Sequence, residues 1–86
     1  MEDKRLQIKE MLFRNTLTQN WLINRLQEHG VKTDKTELSA ILNKRRKGNK
    51  VTLVLDTSLL ILRDYEKWLK LLDRQEVQLK IEEEIN

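Results

Sequence analysis

Apolar residues recur at helical spacing along most of the chain, in short sets separated by polar breaks. This pattern predicts a first helix from Lys4 to about Arg14 and a second from the N-cap Thr18 to Gly30. A third helix is capped by Thr33 or Asp34. The predicted core faces are Ile8, Met11 and Leu12 in the first helix, Leu22, Ile23 and Leu26 in the second, and Leu38, Ile41 and Leu42 in the third.

The second half of the chain carries a longer apolar pattern. Residues Val51–Leu55 alternate well enough for a strand, so a strand stays open there. A heptad register that continues without a slip favours a helix instead, from about Lys50 to beyond Leu79, with room for a break near residues 56–58. One heptad position holds Leu55, Leu62, Leu69 and Glu76, and the other holds Val51, Ser58, Tyr65, Leu72 and Leu79. The predicted fold is all-α: a small bundle of four to five helices with a long C-terminal amphipathic helix.

Composition removes several classes of function. The 86 residues include no cysteine and one histidine, which excludes disulfides, thiolate metal sites and cysteine nucleophiles. The sequence has no nucleophile and base pair and no glycine-rich phosphate loop, so we expect neither an enzyme nor a cofactor or metal. No apolar run approaches the roughly 18 residues of a membrane span, and the N-terminus lacks the apolar stretch of a signal peptide. We therefore expect a cytoplasmic protein that does not bind membranes.

The net charge of +3 is unevenly distributed. Residues 31–50 carry seven Lys or Arg against two Asp or Glu, a net charge of +5, whereas residues 51–86 carry −3. A polyanion would be drawn to the first of these segments. Its basic run directly follows the third predicted helix. Two short helices joined by a glycine turn, with a basic run at the exit, are typical of a DNA-binding module.

The polar face of the third helix carries the candidates for reading bases. Asparagine can pair bidentately with adenine, and an alanine or threonine methyl can touch a thymine methyl. The predicted base contacts are Thr36, Ser39, Ala40 and Asn43; an ordinary solvated helix face is the alternative. The predicted phosphate contacts at the entrance and exit of this helix are Lys32, Thr33, Lys35, Lys44, Arg45, Arg46, Lys47 and Lys50. For the basic run, the alternative is a solvated loop.

Several short motifs occur in a fixed order: Ile8–Leu12, Leu17–Gln19, Gly30–Val31 and Leu38–Asn43, followed by the basic run. In this order they resemble the Cro/CI-type (lambda-repressor-like) helix-turn-helix family of phage and bacterial repressors, especially its short phage-encoded members. The resemblance covers roughly residues 6–62. It implies that Gln19 contacts the DNA backbone and that the third helix is the recognition helix. The chain departs from the family in a longer segment before Leu38 and in having Lys44 where the family favours glycine.

We accordingly expect residues 1–62 to form a helix-turn-helix DNA-binding domain and residues 63–86 to be an extension that dimerises or binds a partner. The predicted interface residues are Leu62, Tyr65, Trp68, Leu69, Leu72 and Leu79. A homodimer would place two recognition helices about one DNA turn apart, roughly 34 Å. The leading hypothesis is a sequence-specific double-stranded DNA-binding transcriptional regulator, a phage or mobile-element repressor that occludes a promoter. The alternative is a protein–protein interaction module, antitoxin-like or adaptor, that uses the apolar stripe.

Overall fold

The computed structural model describes the backbone of residues 3–85 and the side chains of residues 3–73. Its helices are α1 (Lys4–Arg14), α2 (Gln19–Glu28), α3 (Lys35–Leu42) and α4 (Asn49–Ile85). No strand occurs in residues 3–85, so the all-α class and the long C-terminal helix are confirmed. Residues Val51–Leu55 are helical, and α4 runs through residues 56–58 without a break.

Each short helix begins at a polar side chain that accepts a hydrogen bond from the first turn. The caps are Asp3, Thr18 and Asp34, which accept from the backbone N–H groups of Arg5, Trp21 and Glu37 at 2.9, 3.1 and 2.7 Å. Such caps satisfy donors that have no partner within the helix. Of the two candidates for α3, Asp34 is the cap and Thr33 is not.

The same three helices end in one type of turn. After α2, the N–H of Gly30 donates to the Gln27 carbonyl at 3.0 Å, and the next N–H donates to the Leu26 carbonyl at 2.9 Å. These two bonds define a Schellman motif, which needs one residue with positive φ. Gly30 supplies it after α2, but Thr16 (φ 56°) and Lys44 (φ 62°) supply it after α1 and α3. A left-handed non-glycine residue costs about 1 to 2 kcal/mol, which the surrounding packing offsets.

The core lies where α1, α2 and α3 meet the first half of α4. Its buried residues are Ile8, Met11, Leu12, Leu22, Leu26, Val31, Leu38, Ile41 and Leu42 from the first three helices and the α2–α3 connection, and Val51, Val54, Leu55, Leu59, Ile61 and Leu62 from α4. All but one of the nine predicted core positions in the short helices are buried. The exception, Ile23, packs against the core from its edge.

Ion pairs align α1 with α4. Lys4 lies 2.7 Å from Asp56, and the Arg14 guanidinium donates two hydrogen bonds to the Glu66 carboxylate, at 2.7 and 2.5 Å. Both pairs join residues 52 positions apart, so the two helices run parallel. The bonds from Arg14 also hold the pKa of Glu66 below its usual value. Contacts of α4 with the rest of the bundle thus continue past residue 62, where we expected the domain to end.

One polar group is out of place in this core. The Ser58 side chain is fully buried, and its hydroxyl has no hydrogen-bond partner among the described residues. A buried polar group without a partner costs roughly 1 to 3 kcal/mol. Ser58 therefore destabilises the contact between α4 and the short helices.

We expect Ser58→Ala to raise the free energy of unfolding by about 1 kcal/mol or more, because it removes the unpaired hydroxyl and adds helix propensity. Urea unfolding followed by tryptophan fluorescence measures the change. Thr52→Ala, at an exposed position of the same helix, is the control for propensity alone. A gain from Ser58→Ala no larger than that control would contradict the cost assigned to the buried hydroxyl.

Candidate nucleic-acid interface

The end of α3 is held by three contacts from α1 and its cap. The Arg5 side chain donates to the Ile41 carbonyl at 2.8 Å, and Lys9 Nζ donates to Asn43 Oδ1 at 3.0 Å. Lys44 Nζ lies 3.3 Å from a carboxylate oxygen of Asp3. Cations near a helix C-terminus interact favourably with its dipole. These contacts fix α3 so that its opposite face is directed outward.

That outward face contains a shallow depression of about 370 Å³. Its lining residues are Lys35, Thr36, Ser39, Ala40 and Arg45. Three of the four predicted base contacts therefore line one depression, together with two of the predicted phosphate contacts. The small side chains of Ser39 and Ala40 are half-buried and the two cations are exposed, so a flat polar edge can approach the α3 backbone closely.

The fourth predicted base contact, Asn43, lies outside this set. It is the C-cap of α3, and its amide group already accepts from Lys9 and donates to Ser39 Oγ at 3.5 Å. Bidentate pairing with adenine uses both the amide oxygen and the amide nitrogen. The bonds with Lys9 and Ser39 use one acceptor site and one donor of this amide and fix its orientation, which restricts how Asn43 can turn toward a base.

The cations of residues 31–50 divide into two groups. Two of them are paired: Lys44 with Asp3, and Lys50 with Glu37 at 2.8 Å. The other five form no ion pair within residues 3–73: Lys32, Lys35, Arg45, Arg46 and Lys47. Arg46 is nevertheless near enough to Glu37 to lower the pKa of that carboxyl. Two members of the predicted phosphate-binding run are thus paired within the protein, and the other three form no ion pair among the described residues.

Glu37 is the residue that the sequence analysis missed in this region. Its carboxylate accepts from Lys50 and from the Thr33 hydroxyl, the latter at 2.7 Å, and these two bonds lower its pKa. Arg46 lowers the same pKa through its charge. The predicted phosphate contact Thr33 is therefore committed to Glu37. The position of Glu37, three residues after the cap Asp34, is typical of a capping box and was the available signal.

Gln19, which the family resemblance implied to contact DNA, is the first residue of α2 and is half-buried. It does not line the depression on α3. Its position next to the cap Thr18 places it at the positive end of the α2 dipole, where anions are favoured.

The predicted interface on α4 is only partly available to a partner. Leu62 is 0% exposed and belongs to the core, which corrects its assignment to the interface. The ring of Tyr65 contacts that of Trp21 edge to face, with 5.2 Å between centroids, and is half-buried. Trp68 is 54% exposed and tilts against Tyr65. The distal stripe, by which we mean Tyr65, Trp68, Leu69 and Leu72, therefore starts at the edge of the core; Leu79 lies outside the described side chains.

No known protein family, curated protein or solved structure matches the chain. In the part of the chain that the structure describes, no helix is long and apolar enough to cross a membrane. No group of His, Asp and Glu side chains there is arranged to hold a metal ion.

The Glu37–Lys50 pair should make part of the stability depend on pH. The folded-state pKa of Glu37 lies below its ordinary 4.5, so the pair stabilises the fold above pH 4.5 and loses its effect as the pH falls through the folded value. We expect Lys50→Gln to lower the free energy of unfolding by less than about 1 kcal/mol at neutral pH, because the pair is partly exposed.

Urea titrations of the wild type and Lys50→Gln from neutral to acidic pH measure this difference, which should shrink on acidification. Lys47→Gln is the matched control, since it removes a cation that forms no ion pair among the described residues, from the loop just before α4. A difference that is constant with pH for Lys50→Gln, or that shrinks equally for Lys47→Gln, would show that the pair does not act as described.

Proposed function

We propose that the protein is a sequence-specific double-stranded DNA-binding transcriptional regulator that inserts α3 into the major groove. The observation that carries this proposal is the depression on α3, where Thr36, Ser39 and Ala40 are small and the remaining lining residues, Lys35 and Arg45, are cations with no ion pair among the described residues. An α-helix fits the major groove, and side chains of this kind contact base edges. The resemblance of residues 6–62 to helix-turn-helix repressors supports the same reading.

The free cations would hold the phosphates on both sides of α3. Each phosphate neutralised by a protein cation releases condensed counterions, which makes binding fall with salt. The five unpaired residues from Lys32 to Lys47 give a log–log salt slope near −4.5 per protomer, at about −0.9 per contact. Lys44 and Lys50 contribute little because Asp3 and Glu37 already neutralise them.

A homodimer would form through the distal stripe. This stripe continues the face of α4 that is buried in the core, and its residues after Tyr65, which contacts Trp21 of α2, are half-buried or exposed. The described segment 63–73 carries three cations and three carboxylates, so two copies can approach without net repulsion. Such a dimer, in the cytoplasm of a cell that carries a phage or mobile element, would repress by occluding a promoter.

A protein–protein interaction module, antitoxin-like or adaptor, is the second candidate function. The observation that favours it is the exposure of Trp68 and Leu71, at 54% and 58%, on the same segment of α4. Large exposed apolar residues that lie close together are typical of a binding surface for another protein. Under this reading, the distal stripe together with the adjacent Leu71 binds a different chain, and DNA binding is incidental.

The proposal predicts that the wild-type protein enriches defined duplexes from a random DNA pool at about 150 mM salt, where nonspecific binding is weakened. Thr36→Ala combined with Ser39→Ala should lose this preference yet keep salt-dependent nonspecific binding, because it changes the base-reading surface and not the cations. Sequencing of the bound pool is the measurement. Thr52→Ala, at an exposed position of α4, is the control and should enrich the same motif as the wild type. No enrichment by the wild type would reject the proposed function.

The distal stripe predicts self-association. Leu69→Lys combined with Leu72→Lys should convert a dimer to a monomer, since it places four charges in the contact between two copies. Sedimentation velocity measures the change, and enrichment of an inverted repeat should give way to a single half-site. The matched control is Leu53→Lys with Leu60→Lys, two exposed leucines of α4 outside the stripe. If the wild type sediments as a monomer, the homodimer is excluded and a partner protein becomes the occupant of the stripe.

A further inference from the structure

We propose that Arg45 reads a guanine in the major groove, and is therefore a specificity-determining residue and not one of the phosphate contacts. The other four cations without an ion pair then hold the phosphates, with a salt slope of about −3.6 in place of −4.5. This assignment rests on the proposed DNA-binding function. It concerns one residue of the basic run, whose four consecutive members look equivalent in the sequence.

The turn after α3 separates Arg45 from its neighbours. Lys44 takes the left-handed conformation, and the Arg45 N–H then donates to the Ala40 carbonyl at 2.8 Å. This bond folds the chain back along α3 by one turn. As a result, the Arg45 side chain lines the same depression as Thr36 and Ser39.

In the other two Schellman turns of the protein, the corresponding position holds an apolar residue that packs on the core. Leu17 follows α1 and is half-buried there, and Val31 follows α2 and is fully packed. An apolar residue at this position commonly contacts the last turn of the helix. Arg45 is exposed instead. At the position where the first two turns have a side chain that packs on the core, the third turn therefore has an exposed guanidinium.

The flanking cations differ from Arg45 in what they face. Lys44 pairs with Asp3, and Arg46 is near enough to Glu37 to lower the pKa of that carboxyl. Neither Arg46 nor Lys47 lines the depression. Arg45 lines it and, within residues 3–73, has no carboxylate partner to compete for its donors.

The chemistry of arginine fits a guanine at this point. A guanidinium donates two parallel hydrogen bonds to the O6 and N7 atoms of guanine, the commonest specific contact in protein–DNA complexes. Phosphate binding would use the same donors without sequence preference. Ser39 and Ala40 line the same depression, and their small side chains allow a base edge to come within reach of the arginine.

Arg45→Lys tests the assignment because lysine keeps the charge and loses the planar two-donor fork. The variant should retain the salt slope of the wild type, but its preference for guanine at one position of the motif should fall by roughly 5- to 150-fold, the equivalent of about 1 to 3 kcal/mol. Selected pools and titrations of duplexes with each base at that position measure this. Arg46→Lys, the same change one residue further on, should leave every position unchanged.

The assignment of Arg45 would be overturned if Arg45→Lys selected the same motif as the wild type, or if Arg46→Lys lost the preference for guanine instead. Either result would leave the DNA-binding function intact. The absence of any motif from the wild type would overturn the function itself, and is observed before either variant is made. The two failures are thus distinguished in the same experiment.

Discussion

Burial of one face of α4 is the interaction on which the rest of the fold depends. The three short helices have 11, 10 and 8 residues, and isolated helices of such lengths are marginal in water, below the roughly 12 to 15 residues that even good sequences need. α1 and α2 gain stability by packing apolar faces on the segment of α4 from Val51 to Leu62, and α3 in turn packs mainly on α2 and α1. The same packing holds Thr16 and Lys44 in a left-handed conformation that neither side chain favours. Local order in the turns is therefore a product of the core and not its cause.

The helices could be predicted from the sequence because their signals are local. Caps at Thr18 and Asp34 and the apolar spacing of Leu38, Ile41 and Leu42 involve residues within one or two turns of each other. The course of α4 through residues 51–62 needed more than alternation, which a strand also satisfies. A helix face that is buried against several helices is broad enough to imitate the alternation of a strand over five residues. The uninterrupted heptad register therefore predicted the helix correctly, where alternation alone could not.

The candidate site was less predictable because its electrostatics depend on contacts between distant residues. Nothing near Lys44 in the sequence indicates that Asp3 neutralises it, and Leu62 looks like any other leucine of the apolar stripe until the core is assembled around it. The helical wheel of α3 grouped Thr36, Ser39, Ala40 and Asn43 from helix geometry alone, and the first three of these line the depression while Asn43 does not. It could not bring Arg45 to the same face, because that requires the backbone to reverse after the helix ends.

The continuity of α4 has a mechanical consequence. One helix contributes both the floor of the core and the distal stripe, and no flexible linker separates Leu62 from Trp68. A partner bound to the distal stripe would thus be held at a fixed orientation relative to α3. Adding a single residue to α4 between Leu62 and Trp68 would turn Trp68 and the rest of the stripe after it by about 100° around the helix axis and move these residues about 1.5 Å along it. The length of α4 therefore sets the distance and the rotation between a molecule bound at the distal stripe and one bound at α3.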